Sequence, residues 1–422
     1  MNEPTLPTSC DVLVIGAGPA GSACAQTLAG AGLSVLLVDQ HDFPRDKVCG
    51  DALIPDSHAA LRRLGVYDEV AALAQPVQHV RCVGPRGGLV DVPGSLSVLP
   101  RKVLDHVLVR SAQRAGARLL TPLRFEAPLL DGEQVVGARF KAAGLHREAA
   151  QAHEISARWV VLATGAVPQA LTAAGLCERH TPSGVALRGY VKNDAQVPHI
   201  RQLQIVWHPR LRGGYGWIFP APGGVFNIGV GLTGSHIQSD GQRGAKGRMH
   251  NLNLRTLFDA FCELHPAARD LMASGVLQGD IKGAPLRCSM VGSRWSRPGL
   301  LATGEAVGST YNFTGEGIGK AMETGMLAAH AILQDRRALN TPNTLDSAVR
   351  QRYEASLTAL KPRFDMYETA RHVNHRPWLA DLVIWRARKS PRILRRMAGM
   401  LEETQNPGRL LSWRGMSKLM FE

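Results

Sequence analysis

Residues 11–40, DVLVIGAGPAGSACAQTLAGAGLSVLLVDQ, decide the fold. Val12 to Ile15 is a β-branched apolar run and predicts a buried strand. The turn Gly16-Ala17-Gly18-Pro19-Ala20-Gly21 follows, and Ala23, Ala25 and Ala29 continue it at helical spacing. A second apolar strand, Ser34 to Val38, ends on Asp39. Strand, glycine turn, helix and strand in this order form a dinucleotide site. Gly16 permits the tight turn, Gly18 lets a pyrophosphate approach the backbone, and Gly21 lets helix and strand pack closely. The helix start presents unpaired N–H groups and a positive dipole to phosphate, with Ala20 in its first turn. Asp39, 18 residues past Gly21, can accept from ribose hydroxyls, and an acid there disfavours a 2′-phosphate.

Two later segments choose the dinucleotide. RWVVLATGA (158–166) is an apolar strand ending at Ala163-Thr164-Gly165, expected to return beside the adenosine. RPGLLATGEAVGSTYNFTGEGIGKAMETGMLAAHAI (297–332) is a strand ending at Gly304-Glu305, a glycine-rich segment, and a helix from about Gly315. A carboxylate at a strand end can hold a polyol such as ribitol. The helix start at Gly315, Gly317 and Ile318 can aim N–H groups at the N1/O2 edge of a flavin, where reduction places negative charge. A nicotinamide dinucleotide needs neither, so FAD is the expected cofactor.

The totals bound the rest. A chain of 422 residues, 45% hydrophobic and 20% charged, is an ordinary globular composition with room for two or three domains. Seven cysteines without a CxxC give no zinc spacing and fit reduced thiols in a cytosolic protein. Met1 to Cys10 lacks a signal-peptide pattern, and no window of about 18 apolar residues predicts a spanning helix. The net charge of +14 raises nucleic acid as a partner. Yet residues 351–422 hold 14 Lys and Arg against 7 Asp and Glu, or +7 of the +14. So late a concentration predicts a local basic surface and no nucleic-acid groove.

Only 5% of the chain is aromatic, yet GGYGWIFPAPGGVFNIGVGL (213–232) holds four aromatic residues. With HIRQLQIVWHP before it, this stretch alternates as strands, with PAPGG as a turn. Alternation puts Tyr215, Trp217 and Phe219 on one face, and Gly216 and Ile218 on the other. Three aromatics on one face build either core or the wall of a broad apolar pocket.

Taken together, these segments resemble the two-domain flavoproteins of the p-hydroxybenzoate-hydroxylase fold, and more narrowly the geranylgeranyl reductase family. FPRDKVCGDAL (43–53) resembles that family's Pro-Arg-x-Lys-x-Cys-Gly segment, YGWIFP (215–220) its Tyr-x-Trp-x-Phe-Pro segment, and GEGI (315–318) its flavin-facing turn. The likeness covers roughly residues 10–335. It implies an α/β protein with non-covalent FAD and a Rossmann-like domain interrupted by a mixed β-sheet substrate domain. It also implies that Arg101 and Arg45 lie near the FAD phosphates or flavin, with Cys49 and Gly50 beside the ring. Glu305 departs from the family's usual Gly-Asp and is one methylene longer. Candidate catalytic residues are Cys49, Tyr215 and Trp217; for Cys49 the rival role is packing. His208 reads as a sheet-edge histidine, and Arg45 and Lys47 serve either FAD or an anionic substrate group.

The expected division is FAD-binding parts at 1–75, 101–170 and 291–340, substrate-sheet strands at 76–100, a substrate domain at 171–290, and a basic helical region at 341–422. GSHIQSDGQRGAKGRMH (234–250) reads as a mobile loop. In the C-terminal region Trp378, Leu382 and Trp385 share a stripe, followed by Arg386, Arg388, Lys389, Arg392, Arg395 and Arg396. Such a helix suits an anionic membrane surface, a solvated basic face, or an acidic partner such as an acyl carrier. The resulting expectation is a cytoplasmic or membrane-peripheral FAD-dependent reductase or dehydrogenase. It moves hydride between flavin N5 and a C=C or C–C bond of an apolar or carrier-bound substrate, with NAD(P)H a candidate transient donor. The alternative is a monooxygenase using a flavin C4a-hydroperoxide on an aromatic or polyene substrate.

Overall fold

The computed structural model describes residues 7–143, 152–233, 253–334 and 346–405. The loop at 234–250 and the last residues of the basic region lie outside them. The chain opens with β1 (Ser9–Ile15), α1 (Pro19–Gly30) and β2 (Val35–Val38), then crosses to a second sheet through β3 (Ala52–Leu53). Helices α2 (Pro55–Arg63) and α3 (Tyr67–Leu73) precede the hairpin β4 (Gln75–Val83) and β5 (Leu89–Val98). Helix α4 (Arg101–Arg114) leads back to β6 (Arg118–Leu120), β7 (Leu123–Asp131), β8 (Gln134–Ala142) and β9 (His153–Leu162). After α5 (Pro168–Ala173) come β10 (Gly184–Lys192), β11 (Leu203–Val206), β12 (Gly214–Ala221) and β13 (Val225–Thr233). Next are α6 (Leu254–Leu264), α7 (Pro266–Ser274), β14 (Val276–Leu277) and β15 (Lys282–Leu286). Strands β16 (Ser296–Arg297) and β17 (Leu300–Ala302) precede α8 (Ile318–Leu333). Helices α9 (Asp346–Ala370), α10 (His372–His375), α11 (Trp378–Ala387) and α12 (Pro391–Leu401) end the described chain.

The first sheet runs β16-β17-β9-β1-β2-β6, with β8 joined to β9 and β7 to β8. Its centre, β17-β9-β1-β2-β6, is parallel. Parallel strands are covered on both faces, which is why Val12–Ile15 and Val160–Leu162 are apolar without alternation and buried throughout. The glycine turn obeys the same crowding. Gly16 sits at φ +102°, where a side chain is strained, and a Cβ on Gly21 would strike the Gly16 carbonyl.

The second sheet runs β14-β10-β13-β12-β11-β4-β5-β3, with β15 on β10. Among the described residues only β11 and β4 pair in parallel in this sheet. Its two faces have different neighbours. One packs Ile218, Phe226 and Ile228 against Phe258 and Phe261 of α6. The other carries Trp207, Tyr215, Trp217 and Phe219, covered by Leu379, Ile384, Ile393 and Met397 of α11 and α12. Gly216 is needed where α6 crosses, because a Cβ there would enter the Phe261 ring. The C-terminal region is therefore split: α9 buries Val349, Tyr353 and Leu357 in the core of the first sheet, whereas α11 and α12 roof the second.

Candidate active site

A cavity of about 600 Å³ lies between the two sheets and has a polar arm and an apolar arm. The polar arm follows the glycine turn. Gly16, Gly18, Ala20, Asp39, Ala163, Thr164 and Gly165 line it, so the two strand ends quoted from the sequence meet here. Helix α1 starts at Gly18 with no side-chain cap, leaving its first N–H groups for a ligand. Arg45 and Arg101 flank this start: a Cβ on Gly18 would lie 3.6 Å from one Arg45 Nη2 and 3.8 Å from that of Arg101. Asp105 holds both guanidiniums. It is fully buried, accepts from Arg101 Nε at 2.6 Å and Nη2 at 2.8 Å, and pairs with Arg45 at 3.1 Å. Asp39 is already engaged on both oxygens, accepting from Ala17 N at 2.8 Å and His41 N at 2.9 Å. It shapes the glycine turn as well as facing the arm.

Not every residue of the sequence-derived set reaches the wall. Gly21 and Gly304 lie behind it. Gly304 packs on Ala20 and donates to Thr324 Oγ1 at 3.0 Å. Glu305 does line the cavity; it accepts from Thr310 Oγ1 at 3.3 Å and lies 3.7 Å from Lys47 Nζ. His208 stays outside, accepting from Arg210 N at 3.2 Å and capping a short 3-10 turn.

The arms meet at Cys49, Gly50 and the turn Gly315-Glu316-Gly317 before α8, with Ile318 as the first residue of that uncapped helix. The segment carrying Cys49 is tied down from behind. Its carbonyl accepts from Asn227 Nδ2 at 2.7 Å, and Asn227 Oδ1 accepts from Trp217 Nε1 at 2.9 Å. Asp51 Oδ2 accepts from Asn227 at 2.8 Å and from Tyr190 OH at 2.5 Å. Burial pushes the Asp51 carboxyl up to about 6 against these donors. Arg188 closes the network through Asp46, the Lys47 carbonyl and the Tyr190 ring.

The apolar arm is walled by Trp207, Tyr215, Trp217 and Phe219 and floored by β4 and β11 residues such as Val80 and Ile205. Val383, Ile384, Met397 and Leu401 of the last two helices complete it. Phe219 lies against Gly50, where a Cβ would sit 3.0 Å from the ring. The hydroxyl of Tyr215 donates to the Thr314 carbonyl, and burial holds the phenol far above its ordinary value. Tyr215 and Trp217 thus have their donors engaged by Thr314 and Asn227 while their rings line the arm. Trp207, Asn227 and Glu316 were missed from the sequence. Asn227 is the one polar side chain in VFNIGVGL, which was the available signal.

The polar arm fits FAD. It offers two uncapped helix starts, two guanidiniums beside the glycine turn, a carboxylate in Glu305, and a buried Thr164 hydroxyl without a protein partner. Residues 9–214 match the FAD binding domain family. The chain is 33% identical over 355 residues to menaquinone reductase of Mycobacterium tuberculosis, covering 77% of this chain and 76% of that one. It is 28% identical over 367 residues to digeranylgeranylglycerophospholipid reductase 1 of Methanopyrus kandleri, covering 86% and 89%. The fold is shared with a geranylgeranyl bacteriochlorophyll reductase-like protein of Thermoplasma acidophilum, at TM-score 0.69, 22% identity and coverage of 99% and 97%. It is also shared with the flavin-dependent brominase Bmp2, at TM-score 0.72, 19% identity and 98% of both chains. Fold and site thus define an FAD-dependent oxidoreductase. Within that class, the chain belongs to the geranylgeranyl reductase family.

Proposed function

We propose that the protein reduces a C=C bond in a long apolar chain of the polyprenyl type. The observation that carries this is the continuity of the apolar arm with the flavin arm at Cys49 and Gly315. The names of the two relatives, menaquinone reductase and digeranylgeranylglycerophospholipid reductase, support an apolar substrate. Bound FAD, once reduced, supplies hydride.

The chain's own residues bind, orient and dry. Arg45, Arg101 and the start of α1 hold the phosphates. Asn227 and Asp51 fix the Cys49-Gly50 segment, so the reacting face is set before substrate arrives. Trp217, Phe219 and the roof helices exclude water and leave room for a flat, unsaturated chain. Only one glycine fingerprint occurs, so we infer that reducing equivalents come from a donor without its own domain here, with NAD(P)H one such visitor.

We further infer a peripheral membrane position. Trp378 and Trp385 of α11 are 55% and 47% exposed, and Arg386 and Lys389 stack on the Trp385 ring. The same helix lines the apolar arm from inside through Val383 and Ile384. A basic, tryptophan-bearing roof over an apolar channel is complementary to an anionic lipid surface. No helix among the described residues is long and apolar enough to cross a membrane.

The test is anaerobic. Photoreduced holoprotein is mixed with menaquinone or a geranylgeranyl lipid, and flavin absorbance and product mass are followed. Reoxidation with a gain of two hydrogens in the prenyl chain, retained after the product is air-oxidised, supports the reading. No anaerobic reoxidation, with an oxygen atom inserted into the substrate once O₂ is admitted, overturns it in favour of a monooxygenase.

A further inference from the structure

Glu316 is the one carboxylate in the turn where the two arms meet. It lines the cavity, and among the described residues its side chain has one hydrogen-bond donor, Thr314 Oγ1 at 3.2 Å. The charges around it are unbalanced. Lys320 of α8, only 2% exposed, is the cation whose charge acts on it, but it faces three other carboxylates: Glu323 at 2.8 Å, Glu403 at 2.8 Å and Asp56 of α2 at 3.7 Å. Arg363 of α9 also spends its charge on Glu403, at 3.3 Å. Two cations thus serve three carboxylates before Glu316 is counted. The other titratable groups facing it are the phenols of Tyr215 on β12 and Tyr367 on α9, both far above their ordinary values through burial.

A second negative charge here is costly in low dielectric. FAD held beside the uncapped start of α8 would, on reduction, bring negative charge to the same place. We propose that Glu316 is a redox-linked proton site: its carboxyl takes up a proton from solvent when bound FAD gains an electron pair, and returns it when the flavin is reoxidised. In the uptake step the carboxylate oxygen forms an O–H bond, one solvent proton is consumed, and the electron pair comes from the flavin's own reductant. Glu316 is thereby a positioning residue for charge, acting on the flavin and not on the substrate.

Burial, then Asp56, push the Glu316 carboxyl up to about 8, so the uptake is visible above that pH. Below it, Glu316 is neutral in both redox states. The midpoint potential of the FAD-loaded protein is measured against pH by dye-equilibrated reduction, without substrate. The wild type is expected to steepen above about pH 8 by one additional proton per electron pair, while Glu316→Gln shows no such break and Glu316→Asp retains a displaced one. A wild type without the break, or Glu316→Gln with the same break, overturns the proposal. If Glu316→Gln fails to retain FAD, infrared difference spectra of the wild type decide. A protonated-carboxyl band of isotope-labelled Glu must appear on reduction above pH 8, and its absence overturns the proposal. No substrate enters either measurement, so failure here is distinct from failure of the proposed reduction.

Discussion

Trp217 and Cys49 are held in register by one side chain: Asn227 accepts from the indole nitrogen at 2.9 Å and donates to the Cys49 carbonyl at 2.7 Å. One side chain thus couples the aromatic wall to the segment carrying Cys49. Asn227→Leu leaves the indole N–H and the Cys49 carbonyl without partners. Each unmade buried bond costs about 1–3 kcal/mol, so we expect a loss of about 3 kcal/mol in denaturant unfolding of the holoprotein. An unchanged denaturation midpoint means the clamp contributes nothing.

Arg45 can be removed without stranding Asp105, which keeps both bonds to Arg101. A charge-assisted bond contributes about 1.5–3 kcal/mol. Arg45→Gln is therefore expected to raise the FAD dissociation constant by roughly ten- to hundredfold, read by flavin fluorescence titration. Wild-type affinity at low salt removes Arg45 from the phosphate site.

Stability carries a signature of Glu316. Its ordinary value of 4.5 is raised to about 8 in the fold, so the folded state binds the proton more tightly than the unfolded chain. The contribution is fully present below pH 4.5 and is lost as pH rises through 8. Thermal melts of wild type and Glu316→Gln should converge at low pH and diverge across this window, with the variant less pH-sensitive. Parallel curves would show that the carboxyl titrates normally.

Arg395 and Arg396 point outward from α12 while Ile393 and Met397 face the sheet. A basic residue near an anionic surface contributes about 1 kcal/mol. Replacing both by alanine should weaken binding to phosphatidylglycerol vesicles about thirtyfold and leave the FAD spectrum unchanged. Equal sedimentation with phosphatidylcholine and phosphatidylglycerol contradicts a charge-led surface, and capture of an acyl carrier by the wild type would redirect it.

Much of the polar arm was legible because its pattern is local. Gly16, Gly18, Ala20 and Asp39 lie within one strand–turn–helix–strand unit, and spacing alone places them. The alternation of Tyr215, Trp217 and Phe219 likewise put them on one face. Trp207 joins that wall from β11, which spacing within β12 cannot reveal. Glu316 stands between two glycines, and its character comes from burial and from Asp56 and Glu403, both distant in sequence, with Lys320 one helical turn on. The basic tail was read as a surface, yet α11 and α12 use their inner sides to complete a cavity. Amphipathic spacing shows that a helix has an inner face, but not what that face encloses.

The position of Glu403 has a consequence for how the molecule is made. Its carboxylate accepts from Tyr311 OH at 2.6 Å and from Lys320 at 2.8 Å, so residues just past α12 fasten the turn and helix where the two arms of the cavity meet. Strands β1 and β2, which lead into the polar arm, emerge from the ribosome early, but the apolar arm has no roof until residues 378–401 are synthesised. Until then the wall of Trp207, Tyr215, Trp217 and Phe219 faces solvent. Cofactor capture can precede closure during synthesis, and the last helices convert an open, adhesive sheet into an enclosed chamber.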